Sequence, residues 1–243
     1  MANFVLVHGA WHGAWCWQRV SALLQKDGHR VHAVTLTGLG ERSHLLSPGI
    51  NLDTHINDVI HLIEAEELGE VLLAVHSYAG MVGTAVADRL SQRLKHLVYV
   101  DAVVPKPGES WSSTQAGATQ QQRMAAAQAS PTFSFAPPDP AVFGLQGADN
   151  AWVKRRQTPH PGNTYQAPLA FDVQRVAALP RTFVSCTQPA LATIEPSRLR
   201  VQDPAFWDGA WLPHSAFVEL KTGHDPMISE PAALARILLD CAG

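Results

Sequence analysis

VLLAVHSYAG, at residues 71–80, is an apolar run that stops abruptly at a serine and continues into small residues. Residues 72–75 are typical of a strand buried on both faces, and residues 79–90 are typical of a helix. Ser77 therefore lies at a sharp turn from strand to helix, where its hydroxyl would project out of the sheet. The same turn would aim the first N–H groups of the helix at a carbonyl bound beside the serine.

This pattern predicts a nucleophilic serine, but two positions depart from the Gly-x-Ser-x-Gly motif that is usual in such turns. Val75 and Ala79 stand where that motif has glycines, and we expect Val75 to crowd the turn. A serine between a strand and a helix also often serves only as the helix cap. The stretch alone leaves both roles open.

Length and composition predict one sizeable α/β domain with an insertion. The chain has 243 residues, of which 46% are hydrophobic, so a large core is available. The formal net charge is -3 and no block of basic residues occurs, which argues against nucleic acid as a partner. No segment approaches the roughly 20 apolar residues that cross a membrane, so we expect no membrane partner.

Cysteine usage and the first residues favour a cytoplasmic protein. Cys16, Cys186 and Cys241 are far apart and odd in number, as is typical of free thiols. Residues 1–4 run directly into a strand and lack the charged and apolar parts of a signal peptide. The sequence does not indicate an oligomeric state.

Strands alternate with helices along most of the chain, which predicts a doubly wound, mostly parallel sheet of about six strands. The predicted strands are 4–7, 30–36, 72–75, 97–100, 182–185 and 217–220, and the predicted helices are 15–24, 52–68, 79–90 and 231–239. Ligands bind at the C-terminal ends of the strands in such sheets. Ser77, Asp101 and His224 each follow a predicted strand, so we expect them at one edge of the sheet.

Residues 105–180 interrupt this alternation. Pro, Gln, Ala and Ser dominate the segment, and no long strand is predicted in it. Its scattered aromatic residues argue against disorder, despite the Gln/Ala bias. We therefore predict an inserted cap of short helices over the strand ends, on a core made of residues 1–104 and 181–243.

His224 is the best candidate for the base that a serine nucleophile needs. It follows the last predicted strand, and Gly223 before it leaves the loop free to turn. Ala10, after the first strand, and Tyr78, after the serine, are placed to offer backbone N–H groups as an oxyanion hole. A tight turn would also explain the glycines near Ala10, but it leaves the serine and histidine at matching strand ends unexplained.

The other histidines carry less information, because the chain has 12 of them. His8, His12 and His76 are the candidates for a metal site, but their spacing matches no ligand pattern. We therefore predict no metal and no cofactor, and we expect these three side chains to order loops or to pack.

The opening FVLVHGAWHGAWCW, at residues 4–17, closely resembles the start of one branch of the α/β-hydrolase family. That branch holds plant methylesterases, hydroxynitrile lyases and bacterial esterases. The serine turn, residues 97–105, residues 158–161 and the Gly223-His224 loop extend the resemblance over nearly the whole chain. The resemblance implies the α/β-hydrolase fold with a cap, and a serine esterase with a catalytic triad and an oxyanion hole.

One departure from this family concerns the acid of the triad. The family usually carries the acid just after the next-to-last strand, and here Pro189 stands in its place. Asp101 is the predicted acid, because it ends the strand beside the serine strand and keeps the chain order serine, acid, histidine. Glu195 is the alternative, in which case Asp101 would only start a turn.

Within the branch, the sequence most resembles bacterial hydrolases of benzimidazole carbamate fungicides. This resemblance implies that a methyl carbamate such as carbendazim is hydrolysed through an acyl-enzyme to 2-aminobenzimidazole, methanol and CO2. A flat aromatic substrate would suit aromatic side chains in and near the cap, although such side chains are as often ordinary core. The predicted contacts are Trp11, Trp111, Phe133, Trp152 and Met227.

Three other activities stay open. A general methyl ester hydrolase would need the same residues. The hydroxynitrile lyases carry a threonine after the first-strand histidine and a lysine after the catalytic one, where this chain has Gly9 and Asp225, so hydrolysis is favoured. A small-molecule receptor of the same fold would keep Ser77 and His224 and show little turnover.

Overall fold

The computed structural model of the protein describes residues 1–243. In chain order its strands are β1 (Asn3–Val7), β2 (Arg30–Val34), β3 (Val71–His76), β4 (Leu94–Val100), β5 (Ser134–Phe135), β6 (His160–Pro161), β7 (Arg181–Cys186) and β8 (Ser215–Leu220). Six of them form one sheet in the order β2-β1-β3-β4-β7-β8, and every pairing in it is parallel. The predicted parallel sheet and its six strands are confirmed.

Helices alternate with these strands. They are α1 (Gln18–Lys26), α2 (Leu52–Ala65), α3 (Ala79–Arg89), α4 (Gly117–Ala129), α5 (Gly147–Lys154), α6 (Asn163–Gln166), α7 (Val173–Ala177), α8 (Glu195–Arg200), α9 (Pro226–Ser229) and α10 (Pro231–Ala242). Helices α1 and α10 pack against each other, while α3 packs between α2 and α7. None of these helices is long and apolar enough to span a bilayer.

The centre of the sheet is the apolar run that opened the sequence analysis. All six residues of β3 are buried, because the strand has neighbours on both edges and helices over its faces. Strand β2 ends at Val34, earlier than predicted, since the Leu36 N–H donates to His8 Nε2 at 3.1 Å.

Residues 105–180 contain α4 to α7 and the antiparallel pair β5–β6. The Gln/Ala-rich run lies within α4, so this stretch of biased composition is helical and not disordered. Trp111 and Phe135 of this segment pack against Trp11, which follows β1. These two side chains therefore lie near the C-terminal end of β1, at the edge where a parallel sheet presents its site.

Candidate active site

Ser77 lies at the turn between β3 and α3 with a positive φ of 55°. This left-handed conformation is strained for a residue other than glycine, and such strain is typical of a serine held out of a sheet. Close packing holds the turn, because a Cβ atom on Gly80 would lie 1.9 Å from the carbonyl oxygen of Val103. The Val103 N–H in turn donates to the Ser77 carbonyl oxygen at 3.0 Å.

Val75 fits at the position of the motif's first glycine because Gly83 gives its side chain room. A Cβ atom on Gly83 would lie 2.6 Å from Val75 Cγ1, and both residues are buried. The expected crowding of the turn is therefore wrong.

Ser77, His224 and Asp101 form a hydrogen-bonded line. The Nε2 atom of His224 is 2.9 Å from Ser77 Oγ, and its Nδ1 atom is 2.7 Å from Asp101 Oδ2. A carboxylate only accepts hydrogen bonds, so Nδ1 carries the hydrogen and Nε2 is free to accept the serine proton. This is the tautomer that a general base requires.

Further N–H donors orient the fully buried Asp101 carboxylate. Arg198 Nη2 lies 2.8 Å and 3.0 Å from its two oxygens, and the Cys186 N–H donates to Oδ1 at 3.1 Å. Glu195 is 52% exposed and pairs with Arg198 Nη1 at 3.2 Å. The structure thus brings Asp101 to His224 and places Glu195 on the far side of the arginine.

Ala10 and Tyr78 contribute buried backbone N–H groups beside Ser77. Ala10 is 2% exposed and Tyr78 is 0% exposed, and neither N–H has an acceptor in the protein. A Cβ atom on Gly9 would lie 2.7 Å from Ser77 Cβ, so the loop after β1 passes directly against the serine turn. Buried N–H groups rarely lack a partner, and these two are available to an oxyanion.

A buried ion pair joins His12 to Asp225, the residue that follows His224 in the chain. His12 Nδ1 is 2.7 Å from the Ala10 carbonyl oxygen, and His12 Nε2 is 3.2 Å from Asp225 Oδ2. Both partners only accept, so both ring nitrogens carry hydrogen and His12 is an imidazolium. Burial opposes charge on both side chains, but their mutual attraction and hydrogen bond prevail, so the pKa of His12 is raised and the pKa of Asp225 is lowered.

We expect Asp225→Asn to lower the free energy of unfolding by about 3 kcal/mol at about pH 5.5, because it leaves one partner of a buried pair alone. The pKa of His12 is raised above its ordinary 6.5, so its contribution is complete below 6.5 and is lost as the pH rises through the raised value. The pKa of Asp225 is lowered below its ordinary 3.8, so its contribution holds above 3.8 and is lost only at more acid pH.

Urea titrations at about pH 5.5 and about pH 9 measure this effect, which should be larger at the lower pH. Glu66→Gln is the matched control, since it breaks an exposed pair with Arg30 and should change stability far less. Equal losses for Asp225→Asn at both pH values would contradict a charged His12.

The histidines near the serine have few nitrogens left for a metal ion. Burial lowers the pKa of both His8 and His76 to about 3, so both are neutral. Both nitrogens of His8 and of His12 have hydrogen-bond partners, and only Nδ1 of His76 has none. His76, His224 and Asp225 have potential ligand atoms within 4.8 Å of one another, but both nitrogens of His224 are already engaged. This hydrogen bonding agrees with the absence of a metal site, which stays a prediction.

Ser77 and His224 open onto a cavity of about 110 Å³. Its apolar wall consists of Trp11, Trp111, Val142, Phe143, Leu191 and Ile194. A wider groove of about 400 Å³ adjoins it and shares Trp11, Arg123 and Pro138 with it. The site is therefore an aromatic pocket that continues outward beneath α4.

Two of the predicted substrate contacts, Trp11 and Trp111, line this cavity. The structure places the other three elsewhere. Phe133 packs on Gly162, and Trp152 packs edge-on against Trp15. Met227 is fully buried in the core. Residue type alone could not separate the side chains that line the cavity from those that do not, because large apolar side chains fill cores and pockets alike.

Eight of the twelve residues that line the cavity, Arg123 and Phe143 among them, were missing from the sequence prediction, and so was Arg198 beside Asp101. Arg123 carried a signal that could have been used, since it is the one charged residue within α4. Phe143, whose carbonyl oxygen accepts from the His224 N–H at 2.9 Å, and Arg198 carried none.

A family model of alpha/beta hydrolases matches residues 4–237. The chain belongs to the alpha/beta hydrolase family. This confirms the predicted fold and the family that the opening motif resembled. The match spans the six-stranded sheet, the turn at Ser77, residues 105–180 and the loop of His224.

Relatives of known activity indicate the class of reaction that the protein catalyses. A carbendazim hydrolyzing esterase from Nocardioides sp. (strain SG-4G) is 39% identical over 98% of this chain and 98% of its own length. Methylesterase 7 from Arabidopsis thaliana is 26% identical over 99% of this chain and 96% of its own length. This alpha/beta hydrolase is a serine carboxylic ester hydrolase.

A solved structure agrees in fold. An extracellular alpha/beta-hydrolase from a Paenibacillus species superposes with a TM-score of 0.81 at 22% identity, covering 100% of this chain and 99% of that one. At this identity the likeness supports the fold alone.

Proposed function

We propose that this alpha/beta hydrolase cleaves methyl carbamates of planar heteroaromatic amines, with carbendazim as the model substrate. The observation that carries the proposal is the hydrogen-bonded series of Ser77, His224 and Asp101, in which Ser77 and His224 line an aromatic cavity. The 39% identity to a carbendazim hydrolyzing esterase supports the same substrate class. Hydrolysis of carboxylic methyl esters in general is the second candidate, supported by the similarity to Methylesterase 7.

In the proposed acylation step, His224 Nε2 takes the proton of Ser77 as Oγ bonds to the carbamate carbonyl carbon. The negative charge that develops on the carbonyl oxygen is received by the N–H groups of Ala10 and Tyr78. Asp101 holds the imidazole orientation and stabilises the imidazolium. The C–O bond to the methoxy group then breaks, and His224 gives its proton to the leaving methoxide, which departs as methanol.

Water completes the cycle. His224 takes a proton from a water molecule that attacks the carbamoyl-serine, and returns it to Ser77 Oγ as that bond breaks. The product is an N-aryl carbamic acid, which loses CO2 to give the free amine. One carbamate and one water thus yield one methanol, one CO2 and, from carbendazim, one 2-aminobenzimidazole.

Asp225 supports hydrolysis over cyanohydrin cleavage. The related lyases carry a lysine after the catalytic histidine, and here that position holds a buried carboxylate paired with His12. The proposal includes a cap of residues 105–180 on a core of residues 1–104 and 181–243. It also includes a cytoplasmic location, in keeping with the unpaired cysteines. Turnover of an activated ester by the intact protein would separate the enzyme from a receptor.

We expect purified protein to cleave methyl benzimidazol-2-yl carbamate with a kcat/KM at least about tenfold above that for methyl acetate or methyl butyrate, a difference of ~1.4 kcal/mol in barrier. A carbamate carbonyl is less electrophilic than that of an ester, so ring binding and positioning must supply the advantage. Chromatography should detect 2-aminobenzimidazole and methanol in equal amounts. Alkyl esters cleaved orders of magnitude faster would point to a general methyl esterase.

A further inference from the structure

Arg123 is the charged side chain of the substrate cavity. It projects from α4 and lines both the 110 Å³ cavity that contains Ser77 and the adjoining groove of about 400 Å³. Its guanidinium carbon lies 4.9 Å from the centre of the Trp111 ring and 5.4 Å from that of Trp11. The side chain therefore stands at the junction of the two spaces, held between aromatic rings.

No carboxylate neutralises this guanidinium. Arg123 takes part in none of the ion pairs of the protein, and its Nη1 donates a hydrogen bond to Gln115 Oε1 at 2.7 Å. Burial lowers the pKa of Arg123, opposed only by the Tyr165 hydroxyl. A guanidinium has five N–H donors, so most of them have no acceptor within the protein.

The size of the spaces indicates which part of a substrate reaches Arg123. A methyl ester or carbamate releases methoxide, a group of two heavy atoms that fits beside Ser77. The acyl side is the larger part, and the adjoining groove is the larger space. With the carbonyl at Ser77, the acyl group must therefore pass Arg123 to enter the groove.

We infer that Arg123 selects acyl groups that carry an in-plane hydrogen-bond acceptor next to the scissile carbamate or ester, such as a pyridine-type ring nitrogen or a carboxylate. The geometry matches such a group, since the same rings that hold the guanidinium would stack on a planar acyl group. The inference rests on the proposed function for the carbonyl's position at Ser77. It makes Arg123 a specificity residue, with no part in bond cleavage.

Binding can be tested without turnover, on the Ser77→Ala protein, by titration calorimetry. The probes are methyl N-phenylcarbamate, methyl N-pyridin-2-ylcarbamate, which replaces one ring C–H by nitrogen, and methyl N-(2-carboxyphenyl)carbamate. With Arg123 present, we expect one or both acceptor-bearing probes to bind about 10- to 100-fold tighter than the phenyl compound, as for a hydrogen bond from a charged donor. The tighter of the two identifies the acceptor.

Adding Arg123→Met should bring the affinities to within about threefold of one another, because methionine keeps the unbranched apolar stem and loses every donor. Arg123→Lys should keep part of the preference. The matched control is Arg156→Met, whose guanidinium stacks on Trp152 at 5.1 Å outside both cavities and which should leave the preference unchanged. Circular dichroism checks that each variant is folded.

Turnover in the protein with Ser77 intact gives an independent readout. Arg123→Met should raise KM for the preferred probe about 10- to 100-fold and change kcat by less than about threefold, as for loss of uniform binding. Equal affinity of all three probes for the Arg123 protein, or an unchanged preference after Arg123→Met, would overturn the inference. Absence of carbamate turnover with the preference intact would overturn the proposed function alone.

Discussion

Ser77→Ala is expected to lower kcat about 10⁶-fold, the scale on which loss of the nucleophile acts in another serine hydrolase. The hydroxyl lies 2.9 Å from His224 Nε2, and it is the group that would form the proposed acyl-enzyme. The fold should persist, because the positive φ of Ser77 is set by packing around Gly80 and Val103 and not by the side-chain oxygen. Steady-state kinetics with the preferred carbamate give the magnitude.

The matched control is Ser21→Ala, which removes a half-buried serine hydroxyl that has no hydrogen-bond partner and should leave kcat near the wild-type value. Because nucleophile and base act as one unit, Ser77→Ala combined with His224→Ala should be little worse than either change alone. A fluorophosphonate should add its phosphonyl group to Ser77 of the wild-type chain, with loss of fluoride, and should not label Ser77→Ala. Turnover by Ser77→Ala near the wild-type rate would contradict a mechanism in which Ser77 is the nucleophile.

The sheet could be predicted because its information is local. Continuous apolar runs such as 72–75 and 97–100 suit only strands buried on both faces, and their alternation with helices specifies a parallel sheet. The C-terminal edge of that sheet then brings residues after different strands together. Ser77, His224 and Asp101 were placed by this rule, and the structure holds them within hydrogen-bond distance.

The parts that escaped prediction depend on contacts between distant segments. Arg198 reaches Asp101 from the helix α8, and His12 pairs with Asp225 across more than 200 residues of chain. No spacing rule links such positions, because their meeting depends on how loops pack over the strand ends. The same limit applied to Phe133 and Trp152, whose type suits a pocket although packing placed them outside it.

Asp101→Asn is expected to lower kcat about 10⁴-fold, as loss of the triad acid does in another fold through the wrong imidazole tautomer. The structure explains how this would happen here. The Cys186 N–H and Arg198 both donate to Oδ1, so the amide oxygen of asparagine should take that position. Its NH2 group would then face His224 Nδ1, which must accept and lose its hydrogen. The proton would move to Nε2, where it blocks acceptance of the Ser77 proton.

Glu195→Gln is the contrasting variant, because Glu195 contacts the far side of Arg198 and not the base. It should stay within about tenfold of wild type, a change of ~1.4 kcal/mol in barrier. Circular dichroism and urea titration of both variants separate chemistry from stability, since Asp101→Asn also removes the charge that faces the buried Arg198. A folded Asp101→Asn with activity near wild type, together with a severe loss in Glu195→Gln, would transfer the role of the acid to Glu195. A folded Asp101→Asn with a loss confined to kcat would mean that the carboxylate acts on the tautomer of His224.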